Sequence, residues 1–120
     1  MKYTELKVWQ KGMALVESIY YLSKKFPPEE RYCLTSQIRR SAISIVSNIA
    51  EGYGRYSRKN YFNYLTIAYG SLLELETQLK IANRLDYLED NLLNECERKT
   101  EELEKMLNVL MNKIKGKTEN

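Results

Sequence analysis

Ser36-Gln37-Ile38-Arg39-Arg40-Ser41-Ala42-Ile43-Ser44-Ile45-Val46-Ser47-Asn48-Ile49-Ala50-Glu51-Gly52-Tyr53-Gly54-Arg55 is the stretch on which the fold turns. Ile38, Ala42, Ile45 and Ile49 recur at helical spacing and make one apolar face. Around them stand Gln37, Arg39, Arg40, Ser47, Asn48 and Glu51, a heavy polar load for so apolar a segment. Such a helix either packs a hydrogen-bonded polar layer inside a bundle or presents that layer to a partner. Gly52-Tyr53-Gly54 stops it.

On either side the chain reads as more helix. Upstream, Leu6 to Ser23 carries two adjacent stripes, Trp9, Met13, Val16, Tyr20 and Val8, Leu15, Ile19, Leu22, which predict a wide buried face. Gly12 costs such a helix about 1 kcal/mol relative to Ala and suits a close helix approach. Phe26-Pro27-Pro28 ends it, because proline disfavours the helical conformation of the residue before it. The second helix spans Leu34 to Glu51, with an additional turn expected from Pro28, which fits a first helical position.

Downstream, Ser57 is the N-cap of a third helix. Along it Tyr61, Leu65, Ala68, Leu72, Leu75, Leu79 and Ala82 form a heptad seam. After a connection at Asn83 to Glu89, Leu93, Cys96, Thr100, Leu103, Leu107, Leu110 and Ile114 repeat that pattern on a fourth helix, Asp90 to Lys115. Short connections make neighbours antiparallel. The expected fold is all-α, an up-down-up-down four-helix bundle occupying 1–116 as one domain, with a frayed polar tail at 117–120.

Composition agrees. Only 2 Pro and 5 Gly interrupt 120 residues, and 43% hydrophobic with 29% charged residues is ordinary for a globular protein. The net charge of +3 is small but polarised. Six basic groups (Arg31, Arg39, Arg40, Arg55, Arg58, Lys59) face one acid, Glu51, between residues 31 and 59, whereas 60–120 is net acidic. A basic middle can attract phosphate; it can equally meet the acidic half of its own fold or of a neighbouring subunit. Cys33 and Cys96 show no paired spacing and read as reduced and packed. No signal-like region opens the chain and no apolar run reaches the ~18 residues of a membrane span. A cytoplasmic location without membrane contact is the default expectation.

Histidine is absent. This removes Ser-His-Asp and Cys-His nucleophiles and the Glu-x-x-His pairs of di-iron bundles. Glu74 and Glu76 point to different helix faces, which argues against paired acid–base work. The chain reads as a non-enzyme, with no catalytic residue, cofactor or metal expected.

The polar positions allow two readings. Gln37, Asn48, Glu51, Glu74 and Glu76 read first as a structural network, with a buried Arg–Glu pair joining helices two and three. An RNA or protein contact is the other reading. At the next corner, Tyr53, Arg55, Tyr56, Arg58, Lys59, Tyr61 and Tyr64 interleave basic and aromatic groups. Arg and Lys neutralise phosphate and Tyr stacks on unpaired bases, although the same residue types are enriched in protein interfaces.

Four segments together carry a resemblance: Val8-Trp9-Gln10-Lys11, Leu34 to Ala42, Ser47 to Arg55, and Ile67 to Thr77. They closely resemble the four-helix-bundle family encoded in intervening sequences of bacterial 23S ribosomal RNA genes. The resemblance implies a small non-catalytic bundle assembling as a homopentameric ring. That family is also similar to the accessory variability determinant of diversity-generating retroelements, a basic pentameric barrel that binds a reverse transcriptase and nucleic acid. The matching motif positions are Gln37, Arg39, Arg40, Asn48, Glu51, Gly52, Arg55, Gly70, Glu74 and Glu76. Departures occur at Cys33, where Gly is common, at Gly12, where Ala is usual, and at Val46, where Pro is frequent.

Two functional expectations follow. In one, a homo-oligomer binds RNA or other nucleic acid through Arg39, Arg40, Arg55, Arg58 and Lys59, with Tyr53 and Tyr56 at the same surface. In the other, the bundle is a protein scaffold for a reverse transcriptase.

Overall fold

The computed structural model describes residues 1–118. Four helices carry the fold: α1 (Lys7–Ser23), α2 (Leu34–Tyr53), α3 (Arg58–Arg84) and α4 (Asp90–Thr118). Single 3-10 turns at Tyr3–Glu5 and Pro28–Glu30 complete it, and no strand occurs among the described residues. The molecule is a rod of 50 × 23 × 21 Å.

Two long-range bonds fix the up-down alternation. The Tyr53 hydroxyl at the end of α2 donates to the Met1 carbonyl (3.0 Å), placing the chain start and the α2–α3 corner at one end. The Tyr87 hydroxyl after α3 donates to Glu30 Oε2 (3.0 Å), placing the other two connections at the opposite end. Each helix packs on its sequence neighbours, and α1 closes against α4.

The two heptad seams form the core. From Leu65 to Ala82 every seam residue of α3 is fully buried, and Leu103 and Leu107 of α4 meet them. Ile38, Ala42, Ile45 and Ile49 supply the α2 face and Leu15 and Ile19 that of α1. Thr100 occupies a seam position with no exposure and satisfies its hydroxyl on the Glu97 carbonyl, 3.1 Å away.

Local chemistry sets the helix ends. Ser57 Oγ accepts from the Asn60 amide at 3.2 Å, the N-cap of α3. The helical turn expected from Pro28 remains separate from α2, because Cys33 adopts φ −119°, ψ −105°. In place of an N-cap side chain, Glu30 Oε1 accepts from the Leu34 amide at 3.2 Å. Helix α3 ends on Asp86 at φ 63°. The Tyr87 amide bonds the Ala82 carbonyl (2.9 Å) and the Asp86 amide the Asn83 carbonyl (3.0 Å), a Schellman closure built on Asp instead of Gly.

Three expectations are corrected. On α1 only Val8, Leu15, Ile19 and Leu22 of the two stripes are buried. Trp9, Met13 and Val16 are half-buried and Tyr20 is exposed, at the margin of the face that α1 turns to α2 and α4. Cys33 is exposed in the turn before α2, while Cys96 packs on α4, where burial pushes its thiol up. Helix α4 continues past Lys115 to Thr118; the end of the expected 117–120 tail lies outside the described residues.

Candidate nucleic-acid interface

None of the six basic groups between residues 31 and 59 forms an ion pair with a carboxylate among the described residues. Ion pairs lie elsewhere, at Lys11–Glu102 (2.7 Å), Lys80–Glu97 (2.8 Å) and Lys99–Glu95 (3.7 Å). The acidic half of the fold therefore does not neutralise the basic middle. Helix α2 divides these cations into two groups. Arg39 and Arg40 sit in its first half and Arg55, Arg58 and Lys59 beyond its last turn, roughly 22 Å further along at 1.5 Å per residue.

At the α2–α3 corner the Arg55 guanidinium donates to the Tyr64 hydroxyl at 2.6 Å and lies 4.8 Å from its ring centroid. Tyr53 packs edge-on against Tyr61, with centroids 6.0 Å apart. Burial, with Tyr53 adding to it, raises the pKa of the Tyr61 phenol, so it stays neutral at physiological pH. Tyr56 is fully exposed, and Arg58 and Lys59 beside it are exposed too. Those two cations occupy the first turn of α3, where they add to the positive end of the helix dipole instead of opposing it. Gly52 makes the corner possible. A Cβ there would lie 2.7 Å from Tyr64 Cβ and 3.3 Å from the Tyr61 carbonyl oxygen.

At the other group, Arg39 Nε donates to Ser23 Oγ on α1 at 2.8 Å, and its guanidinium lies 4.6 Å from the Tyr20 ring. Arg31 lies 5.3 Å from the Tyr32 ring in the turn before α2. Tyr20, Arg31, Tyr32 and Arg39 line, with Thr35, Ser36, Arg40 and Ile43, an open depression of about 420 Å³. Sequence reasoning singled out neither Tyr20 nor Tyr32 as a site residue. The Arg31-Tyr32 pair repeated the basic–aromatic signal of the corner, but Tyr20 arrives from another helix and has no sequence spacing to reveal it.

The expected Arg–Glu pair between α2 and α3 does not form. Arg39 points to the α1 side of α2, whereas Glu74 is on α3, across the other side. Glu74 Oε1 accepts from Ser41 Oγ instead, at 2.6 Å. Three residues further on α2 and three back on α3, Ser44 Oγ meets Ser71 Oγ at 2.8 Å. Asn48 Nδ2 donates to the Ser44 carbonyl at 2.8 Å and its hydroxyl at 3.1 Å. The polar seam thus contains Asn48 and Glu74 of the expected set. Gln37 and Glu51 are exposed, and their side chains make none of these bonds. Glu76 belongs to the α3–α4 side. There it faces Glu104, whose pKa is raised first by burial and then by the Glu76 charge.

No cluster of three or more His, Cys, Asp or Glu side chains that could hold a metal occurs among the described residues. None of their helices is long and apolar enough to cross a membrane.

Among curated proteins no sequence matches this chain. Among solved structures, the chain is similar to a crystal structure of a protein with unknown function from the S23 ribosomal protein family of Bacteroides thetaiotaomicron VPI-5482. The TM-score is 0.82 at 27% identity, over 93% of this chain and 99% of that one. The pattern of the 23S rRNA-intervening sequence proteins matches residues 4–109, nearly the whole bundle, and the chain belongs to that family.

Proposed function

We propose that this chain is a non-catalytic homo-oligomer that binds RNA through the basic surface of α2 and the α2–α3 corner. The observation that carries this reading is that Arg31, Arg39, Arg40, Arg55, Arg58 and Lys59 pair with no carboxylate among the described residues, and that their segment holds a single acid, Glu51. Guanidinium and ammonium groups left without a counter-charge on a protein surface attract phosphate, and releasing counterions from RNA drives the association. Exposed aromatics beside them, Tyr32 and Tyr56, supply the stacking surfaces that unpaired bases use.

Self-association is the second part of the proposal, in the ring of five that the family resemblance implies. Its support is the apolar surface left over once the bundle closes. The Trp9, Met13 and Val16 stripe is half-buried, and Ile67, Leu73 and Ile81 stand exposed on α3 at 52%, 41% and 43%. Gly70 lies between Ile67 and Leu73, and a Cβ there would meet nothing within 4 Å. Assembly would multiply the basic segment of each subunit, six cations against one acid, into one strong field.

Two experiments test the proposal. Light scattering on the purified protein should return a mass several times 14.2 kDa; a monomer at micromolar concentration would remove the assembly. Fluorescence anisotropy of nuclease-treated protein should show micromolar or tighter binding to RNA. An affinity unchanged by Arg55→Glu with Arg58→Glu would remove the corner from the interface.

A further inference from the structure

We infer that the depression between α1 and the start of α2 holds one unpaired nucleotide of a single-stranded RNA, its phosphate on Arg39 and Arg40 and its base on Tyr32. The inference rests on the RNA reading above and gives it a site, a strandedness and a pairing state.

Four observations converge on it. Arg39 is held before any ligand arrives. Ser23, itself buried, donates its hydroxyl to the Tyr20 carbonyl (3.3 Å) and accepts the Arg39 Nε–H, while the Tyr20 ring supports the guanidinium. A guanidinium carries five N–H donors, and the bond to Ser23 uses one. The other four meet no acceptor among the described residues, so little ordering is left for an incoming phosphate to impose.

Tyr32 is 83% exposed and has no packing role in the bundle. Its close partner is the Arg31 guanidinium, which a base can displace from the ring and free for phosphate.

The lining is chemically one-sided. It has three guanidiniums, two aromatic rings, two hydroxyls and the exposed Ile43, and it contains no carboxylate. Cations alone would suit any anion, but cations beside exposed rings suit a nucleotide, whose phosphate and base need both.

Exposure selects the unpaired state. The depression is open to solvent and Tyr32 stands at its surface, where an unpaired base can lie on the ring, whereas duplex bases are stacked out of reach. The depression lies far from the Tyr53–Tyr64 corner, so one strand running along α2 could use both.

The test combines mapping and substitution on the full-length protein. A labelled oligouridylate carrying 4-thiouridine is photo-crosslinked and the linked peptides identified by mass spectrometry. Crosslinks are expected at Tyr32 or Tyr20. In anisotropy titrations Tyr32→Ala should weaken that strand about tenfold or more and Tyr32→Phe should not, with an RNA duplex of equal length unaffected by either. Tyr32 is on an exposed turn, so neither change threatens the fold. Single-strand binding that ignores Tyr32→Ala, with crosslinks only elsewhere, overturns this inference and leaves the RNA reading standing. Failure of both the strand and the duplex to bind overturns both. Competition by polyglutamate as effective as that by oligouridylate shows a general anion surface, and also overturns the nucleotide site.

Discussion

A Cβ added to Gly12 on α1 would lie 2.6 Å from Val46 Cγ1 on α2, closer than real Cβ atoms approach. The missing side chain at one residue is therefore the space into which the other packs. Val46 is 7% exposed and, being β-branched, has one strongly preferred helical rotamer. It cannot swing aside cheaply.

Gly12→Ala is accordingly expected to destabilise the bundle by about 1 kcal/mol net, overpacking of about 1–3 kcal/mol outweighing a propensity gain of about 1 kcal/mol. In urea titrations the cost of Gly12→Ala should largely disappear when the change is made in a Val46→Ala background, which carries a cavity cost of its own. A strictly additive double-mutant cycle would contradict the direct packing of these two residues.

Gly52 meets a harder wall. Its neighbours are the Tyr64 Cβ and the backbone oxygen of Tyr61, and neither can move without shifting α3. Gly52→Ala should cost about 1–3 kcal/mol and weaken RNA binding with it, because the corner carrying Arg55 and Tyr64 is displaced. Unchanged stability would mean that α2 and α3 can separate at this end.

These close approaches mark where sequence reading reached and where it stopped. The α3 seam from Leu65 to Ala82 was legible because a heptad period directly reports burial between helices. The corner at Tyr53 to Tyr64 was legible because its residues are contiguous. Trp9, Met13 and Val16 looked as buried as Leu15 and Ile19, since amphipathic spacing does not say how many neighbours a helix has. The partner of Arg39 was illegible. Ser23 is 16 residues away on another helix, and Glu74, set within Leu72-Leu73-Glu74-Leu75, suggested a pair that helix geometry forbids. The Tyr20–Tyr32 depression is assembled from α1, a turn and α2, so no window of sequence contains it.

The α3–α4 connection offers a stabilising change. Asp86 closes the Schellman turn at φ 63°, a conformation glycine adopts without steric cost. Asp86→Gly should raise stability by several tenths to about 1 kcal/mol, measurable as an upward shift in Tm. A decrease would show that the side chain of Asp86, not its backbone, matters.

Acid response is predicted from Glu104. Burial, then the Glu76 and Glu101 charges, raise its folded-state pKa above the ordinary 4.5, with Lys80 opposing. A carboxyl group raised in this way binds its proton more tightly folded than unfolded. Its contribution to stability is fully present below pH 4.5 and disappears as pH rises through the higher folded value. Glu104→Gln should therefore be more stable than the parent at pH 7, by less than about 1 kcal/mol for so accessible a group, and the difference should vanish near pH 4. A difference that grew on acidification would contradict the sign.

The central claim is that the cations of α2 and the corner, left without carboxylate partners, meet phosphate. The most direct measurement is the salt dependence of single-stranded RNA affinity for the parent and for Arg55→Gln/Arg58→Gln/Lys59→Gln. On a single strand, each phosphate no longer neutralised by a cation flattens the slope of log K against log salt by about 0.7. Removing three cations per subunit should make the slope shallower by about 2. A parent that binds with a steep slope and a variant flattened to this extent is the predicted result. An identical slope in both, or no RNA binding by the parent at low salt, would contradict the account.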